Sequence, residues 1–182
     1  MATLCSSSST FRGNKNVEYR IGISKDIHQL VLDRKFVLAG VVIPYTLGEK
    51  AHSDGDVVYH AIAEAIFGDL ALGDLGKHFP DTDPSTEGMD SSIIMKYAVG
   101  KMKNMGFRVQ NVDVSIVLEY PKLAPFISKM CYNITNLLGV DYNKVSVKAG
   151  TNEGIGEVGE NRAVEAYCSI LLKKELWISL IS

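Results

Sequence analysis

Cysteine is scarce in this sequence: its three cysteines, Cys5, Cys131 and Cys168, lie far apart and form no CxxC pair. That spacing excludes a disulfide framework and a cysteine-based zinc site, so a transition metal here would have to be held by histidine and carboxylate. Cys131 and Cys168 sit among apolar residues and read as buried thiols, since free cysteine packs as a small hydrophobe. No apolar run approaches the roughly 20 residues of a membrane-spanning helix, so no membrane partner is expected. Concentrated basic charge is missing as well. Lys and Arg number 19 against 21 Asp and Glu, giving a net charge of −2, and the cations are dispersed. A nucleic-acid partner, which needs clustered cations to displace counterions, is not expected. There is also no GxxxxGK[ST] phosphate loop, no HExxH helix and no nucleophile–base triad.

What is present suits one soluble enzyme-sized unit. The 182 residues can enclose a full core, and 46% hydrophobic with 22% charged residues is ordinary globular composition. Residues 1–18 read as a flexible leader or targeting remnant, because the serine run Ser6–Ser9 and the lack of acid before Glu18 suit an organelle-targeting segment. The domain is placed at residues 19–174 and a C-terminal tail at 175–182.

Within the domain, Tyr19–Ile23 and Phe36–Ile43 read as strands. Ser53 or Asp54 is expected to cap a helix with Val57, Val58, Ala61, Ile62, Ala65 and Ile66 on one face. A Gly- and Asp-rich loop spans 68–88. Asp90 or Ser91 should cap a second helix, with Ile93, Ile94, Tyr97, Ala98 and Met102 at core spacing and Gly106 at its end. Val112, Val114, Ile116 and Leu118 alternate as a strand, and a helix runs from about Pro125 to Leu138 before Gly139. Val145 and Val147 mark a strand, and Ala163–Leu172 the last one. These elements imply an α+β fold class: a single domain with a mixed β-sheet and helices packed on one face.

Three features could carry chemistry. Asp26 and His28, two apart in an extended segment, point to the same side and can reach one cation together. His60, one helical turn after Asp56, could complete a set of two histidines and one carboxylate, the donor set of a catalytic zinc with an open position. Gly73–Pro84 fixes its path with glycine and proline while projecting Asp74, Asp81 and Asp83. It reads either as a solvated turn or as a loop binding the hydroxyls of a polyol or ribose. Gly154–Gly159 matches GxGxxG, but too little chain remains for a βαβ unit, and the residues after Gly159 read as strand, so a dinucleotide site is rejected. On these residues alone, a zinc phosphohydrolase and a metal-stabilised binding protein also remain open.

Taken in order, Asp26-Ile27-His28, AHSDGDVVYHAI from Ala51, ALGDLGKHFPDTDP from Ala71, Asn111–Val114, Pro121-Lys122, Val147–Ala149, Thr151–Glu153 and Gly159–Arg162 resemble the 2-C-methyl-D-erythritol 2,4-cyclodiphosphate synthase family. The resemblance runs from about Tyr19 to Lys174. It implies a phosphorus–oxygen lyase of non-mevalonate isoprenoid biosynthesis that cyclises 4-diphosphocytidyl-2-C-methyl-D-erythritol 2-phosphate and releases CMP. It implies zinc on Asp26, His28 and His60, and magnesium or manganese on Glu153. His52 and Ser53 would contact the substrate phosphates, with Asp26 and His28 beside them. Asp74 and Gly76 would hold the ribose, and Phe79, Pro80, Asp81, Thr82 and Asp83 the methylerythritol. Pro121, Lys122, Leu123, Ala124, Ala149 and Gly150 would form the cytidine pocket, and Thr151, Asn152 and Glu153 would lie along the diphosphate. His52 and Thr151 would be the catalytic hydrogen-bond donors. The family assembles as a homotrimer with active sites between subunits. Together with the serine run, it suggests a plastid or apicoplast-like stroma, the alternative being a bacterial cytoplasm.

The sequence departs from the commonest family form in two places. Gly22-Ile23-Ser24-Lys25 replaces Gly-His-Gly-Phe, putting Lys25 beside Asp26. Residues 156–162 read GEVGENR, close to the plant-type ending, and lack the Phe and Arg that the bacterial form places around an isoprenoid-diphosphate cavity on the trimer axis. The hydrophobic tail, with Trp177, Ile178, Leu180 and Ile181, lies outside the resemblance.

Overall fold

The longest strand, β1 (Lys15–Leu32), alternates small or polar residues with large ones, and the alternation decides its two faces. Gly22, Ser24, Asp26 and His28 face the helices, while Tyr19, Ile21, Ile23 and Ile27 are exposed on the other side. The computed structural model describes residues 15–80 and 82–177. Residues 1–14 of the expected leader, Asp81 and tail residues 178–182 lie outside the described residues.

β1 pairs antiparallel with β7 (Ala163–Trp177) along almost its whole length, from Lys15 opposite Trp177 to Gln29 opposite Ala163. Both strands outrun their expected ends. Residues 24–29 carry polar site groups that hide the strand pattern, and the pairing with β7 holds the segment extended regardless. Phe36–Ile43, expected as one strand, is a hairpin of β2 (Phe36–Leu38) and β3 (Val41–Ile43). It turns at Ala39 and Gly40, both at positive φ. β4 (Leu47–Lys50) was not expected and pairs with the end of β1.

α1 (Val57–Asp69) is buried on nearly every side, rather than on one face as its spacing suggested. It packs against β1 and β7 on one side and against α3 on the other, so a helix apolar all round is what this position requires. Its cap is Asp56, not Ser53 or Asp54. The Asp56 carboxylate accepts the N–H groups of Val58 and Tyr59, and also those of Ala39 and Gly40 at 2.8 and 2.6 Å, tying the hairpin turn to the helix. This acid is fully buried, and burial pushes its pKa up to about 6 against those hydrogen bonds.

The 68–88 loop contains one helical turn, α2 (Leu75–His78), and a 3-10 turn at Pro84–Thr86. α3 (Ser91–Asn104) is capped by Asp90 as expected, but Ile93 and Tyr97 stay exposed on its outer side. β5 (Arg108–Val117), α4 (Ile127–Leu138) and β6 (Val145–Gly150) form a crossover joining parallel strands, with left-handed Gly139 ending α4. The sheet order is β4-β1-β7-β5-β6, antiparallel except for β5–β6. It is therefore mixed, in one α+β domain with its core between the sheet and the helices.

β1 lies unusually close to α1. A Cβ on Gly22 would stand 2.0 Å from the Ala65 carbonyl oxygen, and the Ser24 hydroxyl donates to the Ala61 carbonyl at 2.6 Å. Gly22→Ala is expected to destabilise the fold by roughly 1–3 kcal/mol through overpacking, read as a lower denaturant midpoint. An unchanged midpoint would contradict the close approach.

Candidate active site

The contact between β1 and α1 brings the predicted metal residues together. Asp26 Oδ2 lies 3.3 Å from His28 Nε2 and 3.3 Å from His60 Nδ1. The two imidazoles meet edge to face with centroids 5.1 Å apart. One donor atom from each of the three residues falls within 4.8 Å of the others, a spacing that one divalent ion can span.

The electrostatics fit a cation at this point. Burial opposes ionisation of Asp26, yet hydrogen bonds from His28 and His60 hold its carboxyl well below the usual carboxylate range. Burial likewise opposes charge on His28, but its partners Asp26 and Glu49 win and raise its pKa to about 10. A carboxylate held anionic beside an imidazole that gathers positive charge marks a place that favours a cation. Glu49 adds to this. It is fully buried, its Oε1 lies 3.6 Å from His28 Nδ1 and accepts the Val57 N–H, and burial pushes its pKa up to about 8. The Gly55 carbonyl accepts from His28 Nδ1 at 2.7 Å, which leaves Nε2 facing Asp26.

Two cavities meet at this cluster. His28, His52, Ser53, His60, Leu75 and Phe79 line the first, with Lys50, Ala51, Thr86 and Ile94. Lys25, Asp26, His60, Glu64, Asp74, Leu75 and Gly76 line the second, which is more polar. His52 and Ser53 therefore open onto the same space as the metal residues, and Asp74 and Gly76 border it from α2. Asp74 caps α2 by accepting the Lys77 N–H at 2.8 Å, and Glu64 Oε2 accepts the Leu75 N–H at 2.5 Å. The Phe79 ring packs edge-on against Tyr97 at 5.2 Å. Pro80 and Thr82 flank Asp81, which is outside the described residues, and the Asp83 carboxylate is engaged with the Ser85 N–H at 2.9 Å.

The remaining expected site residues lie apart from these. Pro121, Lys122, Leu123, Ala124, Ala149, Gly150 and Thr151, with Leu118 and Ile127, line a mainly apolar cavity that shares no residue with the other two. Tyr120–Pro121 at its edge is a cis peptide. In the loop beyond, Thr151 Oγ1 donates to Glu153 Oε1 at 3.1 Å, and Glu153 is at positive φ. Glu119 Oε1 accepts the N–H groups of both Asn152 and Gly154 and so shapes this loop. The GxGxxG stretch forms only one helical turn, α5 (Gly156–Gly159), and leads into β7, which agrees with rejection of a dinucleotide fold.

Sequence reading missed Glu49, Glu64, Ser91 and Glu119. Glu64 carried a usable signal, an acid one turn after His60 in a largely apolar helix. Ser91 touches His60 across 31 residues of chain, which no local pattern announces.

The sequence profile of the YgbB family matches residues 19–173. The 2-C-methyl-D-erythritol 2,4-cyclodiphosphate synthase of Chloroherpeton thalassium is 50% identical over 155 residues, which are 85% of this chain and 99% of the relative. The solved structure of the bifunctional IspDF from Campylobacter jejuni is similar at TM-score 0.84 and 37% identity over 87% of this chain, which spans only 43% of that longer protein. IspF of Plasmodium falciparum in complex with CDP is similar at TM-score 0.75 and 32% identity, covering 85% of this chain and 95% of that one. Matched by the profile from Tyr19 to Lys173, and half identical to a relative it spans almost end to end, the chain belongs to the YgbB family, alongside the 2-C-methyl-D-erythritol 2,4-cyclodiphosphate synthases.

Proposed function

We propose that this chain catalyses cyclisation of 4-diphosphocytidyl-2-C-methyl-D-erythritol 2-phosphate to 2-C-methyl-D-erythritol 2,4-cyclodiphosphate with release of CMP. The observation that carries this is the convergence of Asp26, His28 and His60 at a cavity that His52 and Ser53 also line. An oxygen of the substrate's 2-phosphate attacks the β-phosphorus of the CDP group. The new P–O bond closes the ring, and the bond to the bridging oxygen breaks, leaving with CMP. No protein nucleophile is consumed, in keeping with the absence of a triad in the sequence.

Asp26, His28 and His60 would hold zinc and Glu153 magnesium or manganese, and these ions would supply positive charge that offsets the repulsion between the two phosphates. His52 and Ser53 bind the phosphates from the rim of the metal cavity. Asp74 accepts hydrogen bonds from the ribose beside the Gly76 backbone, and the Phe79–Asp83 segment encloses the methylerythritol. The cytosine enters the apolar cavity of Pro121, Lys122, Leu123, Ala124, Ala149 and Gly150. Thr151 and His52 donate to the diphosphate as negative charge builds in the transition state, and Asn152 shapes the loop beside it.

The site is assembled between copies of the chain in a homotrimer. Two features support this: the nucleotide cavity and the metal cavity have no residue in common, and the open sheet face exposes Tyr19, Ile21, Ile23, Ile27 and Tyr167. An apolar patch of that kind marks an association surface. For location, the bacterial source of the half-identical relative supports the bacterial cytoplasm over an organelle stroma. No helix among the described residues is long and apolar enough to cross a membrane.

His60→Ala is expected to abolish CMP release and to strip zinc from the purified protein. Full turnover in that variant would refute the ligand assignment. Because His28 holds a proton up to a pKa of about 10 in the metal-free site, zinc must displace that proton on binding. Apparent zinc affinity should therefore rise as pH rises through the neutral range, by up to about tenfold per pH unit, in a chelator competition. A flat profile would contradict the assigned proton. Finally, mixing inactive His60→Ala chains with inactive Thr151→Ala chains, under conditions of subunit exchange, should restore part of the activity. Exchanged trimers that stay inactive would place the two half-sites in one chain.

A further inference from the structure

We propose that Asp54 and Ser91 are positioning residues for the metal site, acting in series to hold His60 in the Nε2–H tautomer that turns its Nδ1 lone pair toward the cation. The inference rests on the reading of Asp26, His28 and His60 as a divalent-metal site, and it concerns groups that touch neither metal nor substrate.

The donors and acceptors around His60 Nε2 leave that nitrogen one role. The Asp54 carboxylate can only accept. Its Oδ1 takes the Ser91 hydroxyl at 2.5 Å and its Oδ2 takes the Ser91 backbone N–H at 3.2 Å. A serine hydroxyl has a single proton, and Ser91 has given it to Asp54. Toward His60 Nε2, 2.9 Å away, Ser91 Oγ can therefore offer only a lone pair, so Nε2 must be the nitrogen that carries hydrogen. Nδ1 faces Asp26 Oδ2, to which it donates in the metal-free site, and it is therefore the nitrogen left to exchange its hydrogen for a metal. Ser91 is fully buried and His60 nearly so, which keeps water from substituting for the missing partner.

The same constraint reaches the substrate side. Ser53 Oγ accepts the Gly55 N–H at 3.1 Å and lies 3.2 Å from His60 Nε2. Since that nitrogen is a donor, Ser53 cannot give it a proton, and the Ser53 hydroxyl hydrogen is free for the cavity that Ser53 lines. Fixing the His60 tautomer thus also releases a hydrogen-bond donor toward the phosphates.

A bare helix-capping role does not account for this arrangement. Asp90 already caps α3 through the Ser92 N–H at 2.7 Å, and a cap makes no use of the Ser91 hydroxyl or of its contact with His60. The loop that carries Asp54 is stitched to the start of α3 by Asp54 N–H to the Met89 carbonyl at 2.9 Å and Gly88 N–H to the His52 carbonyl at 2.6 Å. Gly55 of that loop orients His28, so one short segment sets both imidazoles, with His28 presenting Nε2 and His60 presenting Nδ1.

The test uses nitrogen-15 NMR of the histidine rings in the metal-free protein, with zinc affinity measured by chelator competition. In wild type His60 Nε2 should carry hydrogen. In Asp54→Asn the side-chain amide donates to Ser91, the Ser91 proton turns to His60, and Nε2 should lose its hydrogen, leaving Nδ1 alone protonated. Zinc affinity should fall by about 10- to 100-fold in Asp54→Asn and Ser91→Ala, the usual range for loss of a group that orients a metal ligand. Tautomer and zinc affinity both within twofold of wild type in folded variants would overturn the proposal. So would a wild-type His60 with no hydrogen on Nε2, a result that stands even if the variants fail to fold. Wild type that binds no zinc at all would instead refute the metal-site reading and leave the tautomer measurement to be judged on its own.

Discussion

The distance between β1 and α1 sets the geometry of everything else. Gly22 has no side chain to hold the strand away from Ala65, and Ser24 bonds directly to the Ala61 carbonyl. Two and four residues further along the same face come Asp26 and His28, and directly before Ala61 on the helix comes His60. A strand held farther off, with an ordinary side chain at Gly22, would leave these three groups too far apart to share one ion. The glycine belongs to the site as much as the ligands do, although it touches none of them.

Once the ligands converge, the site is governed by crowded carboxyl groups. Asp26 and Asp54, both half-buried, lie within one or two contacts of the two imidazoles, and the fully buried Glu49 sits against His28 with Oε2 unpartnered among the described residues. Such a cluster is costly without positive charge inside it. The rise in the His28 pKa is the protein's response when only a proton is at hand. A divalent ion held by Asp26, His28 and His60 would serve the same need more completely.

The legible part of this protein was its local chemistry. Asp26 and His28 at strand spacing, His60 on a helix and Asp74 heading a Gly/Asp loop could all be named from residue order, and each lies at the metal cavities. The capping residue of α1 was misread because three candidate acids and serines precede the helix; Asp56 wins by also closing the Ala39–Gly40 turn, a contact 16 and 17 residues away. The one-face pattern of α1 understated its burial, since a spacing of three and four cannot reveal that another helix covers the opposite side. β1 was recognised only over its first apolar residues, because its later positions hold chemistry rather than core. Long-range partners such as Ser91 and Glu119 left no trace in local sequence, being defined only by what the fold brings beside them.

Among the described residues the apolar cavity and the cavities at the metal-type cluster stay separate, one built around β5, β6 and the Pro121 segment and the others between β1, α1 and α2. In the proposed trimer each would be a half-site, and the metal half would supply the charge neutralisation on which ring closure depends. X-ray absorption at the zinc edge of the zinc-loaded protein gives the sharpest test of that half. Two imidazole nitrogens and one carboxylate oxygen are expected at about 2.0–2.2 Å, with the remaining position filled by a light exchangeable ligand. A sulfur neighbour, or a spectrum with no imidazole scattering, would contradict this assignment.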